Sequence, residues 1–251
     1  MAFPMIDQRF KFESMPESRF DRDKEAARLE CIVNVIQSEG LKHVVEVGGG
    51  ANPLFSLEQC SSLGIETYTL NDISEIELNK APSGYEKLCM DFASTENTIK
   101  NQYDLAFSFM VCEHVKDAEI FHQNLFQALK PGGVSLHVFP TLYTLPFILN
   151  RVIPESVSST LLNILHPRAN RYQNEKFPAY YDWCRGPTPK QIRRFENIGF
   201  EILSYKGFFG HVYYRQRLKP LHALELIKTK WLLKYPIYCL TSYAEVMLRK
   251  P

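Results

Sequence analysis

The segment that decides the fold is His43-Val44-Val45-Glu46-Val47-Gly48-Gly49-Gly50-Ala51-Asn52-Pro53. Its apolar first half predicts a buried strand, and its three glycines predict a turn that lets the backbone approach a ligand closely. Asn52 and Pro53 suit the N-cap and the first position of a helix. A dinucleotide-binding fingerprint, G-x-G-x-x-G, requires a third glycine where Pro53 stands. The segment therefore predicts a nucleotide-like ligand other than NAD.

Strands and helices alternate along most of the chain. Upstream of the glycine turn, apolar residues at helical spacing from Leu29 to Ile36 predict a helix that stops at Gly40. Downstream, the alternation predicts a parallel sheet with helices on both faces, and ligands of such sheets bind beyond the carboxyl ends of the strands. The predicted strands cover residues 43–47, 66–71, 86–90, 103–109, 133–139, 200–205 and 242–248, and the predicted helices cover 53–63, 74–80, 117–129, 189–199 and 220–234.

Five segments follow the order of the motifs of one enzyme family. Glu46-Val47-Gly48-Gly49-Gly50 resembles the first motif of class I S-adenosylmethionine-dependent methyltransferases, an acid followed by glycines. Because motifs that are weak alone are informative in the right order, the chain is identified as a member of this family over about residues 25 to 140. Asn52 is a departure, since many members carry a third glycine there. The other four matching segments are Glu66 to Asp72, Tyr85 to Phe92, Tyr103 to Val115 and Lys130 to Val134.

The resemblance implies an α/β fold of the Rossmann-like class I methyltransferase type. We expect a seven-stranded, mostly parallel sheet with helices on both faces and with lid insertions. A chain of 251 residues can bury one full core and is short for two independent domains. The expected single domain, 1–251, comprises an N-terminal helical segment (1–42), a cofactor-binding core (43–140), a lid insertion (141–186) and a C-terminal part of the sheet (187–251) with a helical insertion at about 212–239.

The resemblance also implies that S-adenosylmethionine is the cofactor and S-adenosylhomocysteine the product. Asp72 is expected to accept the ribose hydroxyls, Asp91 to bind the adenine amino group, and Phe92 to lie beside the adenine ring. The residues alone leave two other roles open, because Asp72 can cap the next helix, although Ser74 suits that role, and Asp91 can cap a strand end. The expected cofactor-binding residues are Glu46, Gly48, Gly49, Gly50, Asn52, Asp72, Ile73, Asp91, Phe92 and Phe109.

The sequence allows more than one role for Glu46 and for His114. Glu46 can orient the glycine turn or bond the amino-acid part of the cofactor through water, or its carboxylate can simply be satisfied by backbone N–H groups. His114 is the candidate catalytic base, because an imidazole titrates near neutral pH and this one follows the fourth strand. The alternative is that Glu113-His114 only forms a helical turn. Other candidates, expected to serve packing, are His137, Tyr143, Tyr180, Tyr181 and His211.

The acceptor is expected to be small or medium-sized, with an oxygen of a sugar or of a lipid-linked glycan as the methylated atom. Three segments resemble bacterial methyltransferases associated with surface-glycan synthesis: Gly48 to Pro53, Asn150 to Pro154 and Phe177 to Tyr181. The alternatives are an N- or C-methyltransferase of a natural product or quinone and a catalytically inactive cofactor-binding module. Nucleic acid is not an expected partner, because the chain lacks the N/D-P-P-Y/F motif and its net charge is +1.

Composition favours a cytoplasmic protein. The six cysteines form no C-x-x-C pair, so we expect reduced thiols, with neither a disulfide framework nor a metal site. The first twelve residues lack the features of a signal peptide.

The C-terminal region is basic and contains a mixed helix. Residues 211–251 hold eight Lys or Arg and two Glu, which makes their net charge +6 against −5 for the remainder. Such a region attracts an acidic ligand. One interpretation of this helix is that its apolar stripe faces the core and its lysines are solvated. The other is that it contacts an anionic membrane surface or a phosphate-bearing substrate. Its apolar stripe is Leu221, Leu224, Ile227 and Trp231, beside Lys219, Lys228, Lys230 and Lys234.

Overall fold

The computed structural model describes residues 9–14, 25–141, 178–211 and 219–251. Most of the predicted lid, with Tyr143 and Asn150 to Pro154, lies outside the described residues, as does the side chain of Leu221. The described elements are β1 (Phe10–Ser14), α1 (Glu25–Glu39), β2 (His43–Val47), α2 (Leu57–Ser62), β3 (Thr67–Asp72), α3 (Glu75–Lys80), β4 (Glu86–Cys89), β5 (Tyr103–Phe109), α4 (Ala118–Ala128), β6 (Leu129–Pro140), α5 (Pro189–Ile198), β7 (Glu201–Phe209), α6 (Lys219–Lys234) and β8 (Tyr243–Arg249), with 3₁₀ turns at Cys112–His114 and Tyr238–Leu240.

The described strands form one eight-stranded sheet in the order β1-β7-β8-β6-β5-β2-β3-β4. Only β8 is antiparallel to its neighbours, so the expected mostly parallel, Rossmann-like sheet is confirmed, with one strand more than the seven predicted. The additional strand is β1, in which Phe10 and Phe12 alternate with polar residues as a half-buried strand requires. It pairs with β7 as far as Ser14 opposite Phe209, which explains why β7 runs beyond the predicted end at Tyr205.

Helix α2 begins later than predicted. Its N-cap is Ser56, whose side chain accepts a hydrogen bond from the backbone N–H of Gln59, while the Gln59 side chain accepts one from the Ser56 N–H. This capping box satisfies two N–H groups at once. A helix starting at Asn52 and Pro53 could not form one, because Phe55 would stand at the position that requires Glu or Gln. Asn52 is exposed in the preceding turn, where its backbone N–H donates to the Gly49 carbonyl at 3.1 Å. The prediction that Asn52 caps this helix is therefore wrong.

The hydrophobic core has two halves, one on each face of the sheet. Alternate strand residues point to opposite sides, so Val44 packs with α1 and α2 while Val45 packs with α4 and α5. Trp183 and Cys184 are buried in the second half. The end of the segment predicted as a lid, 141–186, thus contributes to the core, and the lid itself stays a prediction because residues 142–177 lie outside the described part.

Helix α6 packs against β1 and β7, but with a different face from the one predicted. Leu224, Ile227 and Trp231 are 61%, 65% and 52% exposed, whereas Glu225 and Leu232 are buried. The prediction that the apolar stripe forms a core face is therefore wrong for these residues. Within the described part of the chain, no helix has both the length and the apolar character needed to cross a bilayer.

Candidate active site

The glycine turn after β2 is tied to the end of β3. The backbone N–H groups of Gly48 and Gly49 both donate to the carbonyl oxygen of Asn71, at 2.8 and 3.1 Å. The buried Asn71 amide in turn donates to the carbonyls of Leu88 and Met90, at 3.0 and 2.8 Å. Asn71 therefore joins the carboxyl ends of β2, β3 and β4, with its backbone carbonyl bound to the turn after β2 and its side chain bound to the end of β4. Asn71 was not among the predicted site residues, although an amide near the end of a predicted buried strand was a usable signal.

Glu46 is buried against the glycine turn. Its Oε2 accepts hydrogen bonds from the Tyr68 hydroxyl at 2.5 Å and from the backbone N–H of Leu54 at 3.0 Å. A Cβ on Gly49 would lie 3.0 Å from the Glu46 carboxyl carbon, so the turn rests directly on this side chain. Burial, and then the charge of Glu46, raise the pKa of Tyr68 well above its usual range, which keeps the hydroxyl a donor. These contacts favour a role for Glu46 in orienting the turn.

Asp72 ends β3 beside the same turn. Its Oδ1 accepts a hydrogen bond from the Ser74 N–H at 2.8 Å, and its Oδ2 faces Gly50, where a Cβ would lie 2.9 Å away. Gly50 has a φ of 48°, a conformation that strains residues with a Cβ. Ser74 itself caps α3 by accepting from the Glu77 N–H at 3.3 Å. Asp72 therefore does not supply the N-cap, and its second carboxylate oxygen lies on the side of the glycine turn.

Ile73 and Asp91 lie at the surface next to Asp72. Ile73 is 60% exposed, which is unusual for a side chain that large and apolar. Asp91 follows β4, the strand paired with β3, and its Oδ1 accepts a hydrogen bond from the Ala93 N–H at 2.7 Å. The local cap considered for Asp91 is thus present, while the residue remains exposed beside the end of β3.

Phe92, which follows Asp91, lies in the core. Its ring is 2% exposed and packs edge-on against Phe121, with 6.5 Å between the ring centroids. The Asn124 side chain donates to the Phe92 carbonyl at 2.8 Å and holds this part of the backbone against α4. The Phe92 ring thus helps to fill the core, and its expected contact with adenine stays a prediction.

The turn after β5 closes against the glycine turn. A Cβ on Gly48 would lie 2.5 Å from the Val111 side chain. Phe109 is partly buried at the end of β5, and the next residue, Met110, has a φ of 58° while its N–H donates to the Val138 carbonyl at 2.8 Å. Non-glycine residues at positive φ are strained and are often found at functional sites. The structure thus brings the glycine turn, Phe109 and the turn after β5 together.

His114 lies in that turn, so the 3₁₀ geometry considered for it is present. Its Nδ1 lies 3.0 Å from the carbonyl oxygen of Pro178. Because a carbonyl can only accept, Nδ1 carries the proton, and in the neutral ring Nε2 carries the lone pair. The side chain is 40% exposed, and the His114 N–H donates to the carbonyl of Val111, the residue that touches Gly48. This arrangement offers a nitrogen base one turn away from the glycine turn.

Glu113 is a second ionisable group beside His114, and the sequence analysis gave it no role of its own. Its Oε1 lies 3.9 Å from His114 Nε2, and its Oε2 has no hydrogen-bond partner within the described part of the chain. Burial raises the pKa of this carboxyl to about 7. Its backbone carbonyl accepts from the N–H groups of Tyr180 and Tyr181, which ties that segment to the turn. Only the folded arrangement reveals this burial, because the flanking sequence carries no signal for it.

The other described histidines and tyrosines considered as candidates mostly serve packing. His137 is buried between the hydroxyls of Ser108 and Ser135, each 2.7 Å from a ring nitrogen, and burial lowers its pKa to about 3. Such a ring stays neutral and enclosed at physiological pH. His211 and Tyr181 are buried as well. Tyr180 differs, because it is 40% exposed on the segment that holds His114.

The edge formed by these residues fits S-adenosylmethionine. Its glycine turn has no space for a Cβ at Gly48 or Gly50. Asp72 places a carboxylate there, and an ionised carboxylate can accept from two neighbouring hydroxyls. The exposed Ile73 adds an apolar surface for a ring.

Comparison with known proteins supports the same fold. A family model described as a methyltransferase domain matches residues 20–205, whereas no curated protein sequence matches the chain. A solved S-adenosylmethionine-dependent methyltransferase from Mesorhizobium loti is 18% identical, with a TM-score of 0.51 over 88% of this chain and 97% of that one. One from Archaeoglobus fulgidus is 16% identical, with a TM-score of 0.57 over 92% and 95%.

A third similar structure contains the cofactor. It is phosphoethanolamine N-methyltransferase 2 from Haemonchus contortus in complex with S-adenosyl-L-methionine, which is 14% identical, with a TM-score of 0.52 over 94% of this chain and 58% of that one. At these identities the three structures share the fold of the chain.

Proposed function

Since the chain belongs to the class I S-adenosylmethionine-dependent methyltransferase family, we propose that it methylates an oxygen of a small or medium-sized acceptor, a sugar hydroxyl that is free or part of a lipid-linked glycan. The observation that carries this proposal is His114, a base held by the Pro178 carbonyl in the turn that touches Gly48. A hydroxyl must lose its proton to become a nucleophile, so a base at this position suits an oxygen acceptor.

The cofactor-binding residues have separate tasks in this proposal. S-adenosylmethionine supplies a methyl group activated by a positive sulfur, so the protein mainly has to align the reactants in line. Asp72 accepts the two ribose hydroxyls, with Ile73 and Asp91 along the adenine. Gly48 to Gly50 admit the rest of the cofactor close to the backbone, and Glu46 acts by holding that turn in place.

His114 is the proposed catalytic base. The acceptor hydroxyl would donate to Nε2 and pass its proton to this nitrogen, while its oxygen takes the methyl group and the C–S bond electrons stay with the sulfur of S-adenosylhomocysteine, the leaving group. The resulting imidazolium keeps its Nδ1–H on the Pro178 carbonyl, and its Nε2 lies 3.9 Å from the Glu113 carboxyl group. The exposed ring of Tyr180 provides an apolar surface on which an acceptor can lie.

The cofactor site is tested by calorimetric titration with S-adenosylmethionine and S-adenosylhomocysteine. Asp72→Asn keeps the oxygen that accepts from the Ser74 N–H but removes the charge. We expect its Kd to rise roughly tenfold or more, as loss of a charge-assisted hydrogen bond requires. Glu75→Gln is the matched control, because it removes a charge in the next helix at an exposed position. An unchanged Kd for Asp72→Asn would contradict the ribose assignment.

The acceptor is tested by measuring S-adenosylhomocysteine formation and the mass of the product with a panel of sugars and lipid-linked glycans. We expect His114→Ala to lower the rate roughly a hundredfold or more. His43→Ala is the control, because this side chain bonds to Thr67 at the opposite edge of the sheet. Full activity of His114→Ala would favour an N- or C-methyltransferase, and binding of cofactor without turnover of any acceptor would favour an inactive module.

The cellular setting stays a prediction. The cytoplasmic location rests on the sequence alone, and a lipid-linked acceptor would bring the enzyme to a membrane surface.

A further inference from the structure

Among the residues that the structure describes, most of the exposed large apolar side chains lie on α6 and the turn after it. Elsewhere in the described residues, the large apolar side chains with comparable exposure are Leu57, Ile73, Ile76 and Tyr180. A contiguous apolar surface of this kind marks an interaction site in a folded protein. We call this surface the α6 face; its apolar members are Leu224, Leu226, Ile227, Trp231, Leu233, Tyr235, Ile237 and Leu240.

The side of α6 that packs on the protein is partly polar. Glu225 Oε2 lies 2.6 Å from Lys228 Nζ and 3.6 Å from His211 Nε2. Thr229 is buried beside Gly210, where a Cβ would lie 3.0 Å from the threonine hydroxyl, and Leu232 is 1% exposed. These contacts fix the rotation of the helix, so the apolar residues on the other side stay exposed.

The α6 face combines an apolar ridge with positive charge. Leu224, Ile227, Trp231 and Tyr235 follow one another at spacings of three and four residues, so they form one ridge along the helix. Lysines at 219, 230 and 234 are exposed on this helix. The only acid between residues 219 and 240 is Glu225, which is buried and paired. All exposed charged side chains of the helix are therefore positive.

The α6 face is also close to the edge of the sheet that holds the active site. Both β7 and β6 run antiparallel to β8, so β7 ends at the same edge as the other parallel strands. Gly210 and His211, which follow β7, contact Thr229 and Glu225. Helix α6 therefore lies beside the carboxyl end of β7, on the same edge of the sheet as the glycine turn and Asp72.

We propose that the α6 face docks the enzyme on the surface of an anionic lipid bilayer. Trp231 and Tyr235 suit the headgroup level, the leucines and Ile227 reach the acyl boundary, and the lysines extend to anionic headgroups. A second copy of the chain would cover the same ridge only by placing two cationic faces against each other in an isologous contact. Charge complementarity therefore favours the bilayer.

The test uses the two tryptophans of the full chain, because Trp183 is buried and Trp231 is on the α6 face. The purified protein is titrated with vesicles of phosphatidylcholine alone or mixed with phosphatidylglycerol, following co-sedimentation and tryptophan emission. We expect sedimentation and a blue shift with the anionic vesicles and neither with the neutral ones. Trp231→Phe should still sediment but lose the blue shift.

The charge is tested by replacing two lysines. Lys230→Gln with Lys234→Gln should weaken partitioning to the anionic vesicles roughly thirtyfold, since each lysine near the surface counts for about a factor of five. Lys87→Gln with Lys190→Gln, two exposed lysines elsewhere, is the control and should change nothing.

Three outcomes would overturn the proposal. In the first, the folded wild-type protein does not sediment with anionic vesicles. In the second, the two double variants partition equally to those vesicles. In the third, sedimentation velocity shows self-association of the protein, and Ile227→Ser abolishes it. None of these measurements depends on methyl transfer, so their failure leaves the proposed activity untouched.

Discussion

Replacing Gly50 by alanine tests whether the glycine turn and Asp72 act as one cofactor site. The added Cβ would lie 2.9 Å from Asp72 Oδ2, closer than such atoms approach without displacement. Asp72 cannot turn away freely, because its Oδ1 accepts the Ser74 N–H at 2.8 Å. The substitution should therefore displace the carboxylate that is proposed to hold the ribose.

The Gly50→Ala substitution should have two effects, a loss of folding stability from the backbone conformation and a loss of affinity for the cofactor. A residue with a Cβ at positive φ costs about 1–2 kcal/mol of folding free energy. Displacing Asp72 should also weaken one or two charge-assisted hydrogen bonds to the cofactor, each of about 1.5–3 kcal/mol. The Kd for S-adenosylhomocysteine should rise roughly tenfold for one lost bond and a hundredfold or more for two.

Gly64→Ala is the matched control for the backbone part. Gly64 has a φ of 74°, and nothing lies within 4 Å of the position that a Cβ would take. Both variants should lose about 1–2 kcal/mol in urea unfolding for the backbone part, and Gly50→Ala should lose more because its Cβ meets Asp72. Calorimetry should show a raised Kd for Gly50→Ala alone. Equal affinities of Gly50→Ala and wild type would refute the coupling of Gly50 to the ligand through Asp72.

Three further predictions concern stability. Tyr68→Phe should lower the unfolding free energy by about 1.5–3 kcal/mol, because the Glu46 carboxylate loses a buried charge-assisted donor. The control Tyr85→Phe should cost only about 1 kcal/mol, because the Tyr85 hydroxyl donates to a neutral carbonyl, and equal losses in urea unfolding would contradict this. The pKa of Glu113 is raised to about 7, so between pH 4.5 and 7 the folded state holds a proton that the unfolded state has lost. Wild-type stability relative to Glu113→Gln should therefore fall by about 2.5 kcal/mol between pH 5 and 8, and a pH-independent difference would show that the carboxyl is not desolvated. Thr188→Ala should cost about 1 kcal/mol of unfolding free energy, because it removes the side-chain acceptor at the start of α5; an unchanged urea midpoint would show that the cap is dispensable.

Local patterns were sufficient for much of the fold. Helix α5 was predicted at 189–199 and runs from Pro189 to Ile198, because its N-cap hydroxyl on Thr188 and its left-handed Gly199 act within a few residues of the helix ends. The same holds for the strands that carry Glu46 and Asp72, whose positions at strand ends followed from apolar runs and turn residues. Beyond the resemblance in motif order, these signals also placed the candidate site at one edge of the sheet.

Side-chain partners required the tertiary structure. Asn71 holds three strand ends, and Glu113 is buried beside His114, because residues distant in sequence close around them. The ring of Phe92 enters the core for the same reason, since α4 packs over it.

Helix α6 shows the division most clearly. Its sequence determined that a helix forms and that apolar and basic residues share it, because helical spacing is a property of the segment itself. Which side faces the protein was decided by Glu225, Thr229 and Leu232 meeting the end of β7. Burial depends on what packs against a face, and that partner is separated from the helix in sequence, so only the folded chain reveals that the apolar ridge points outward.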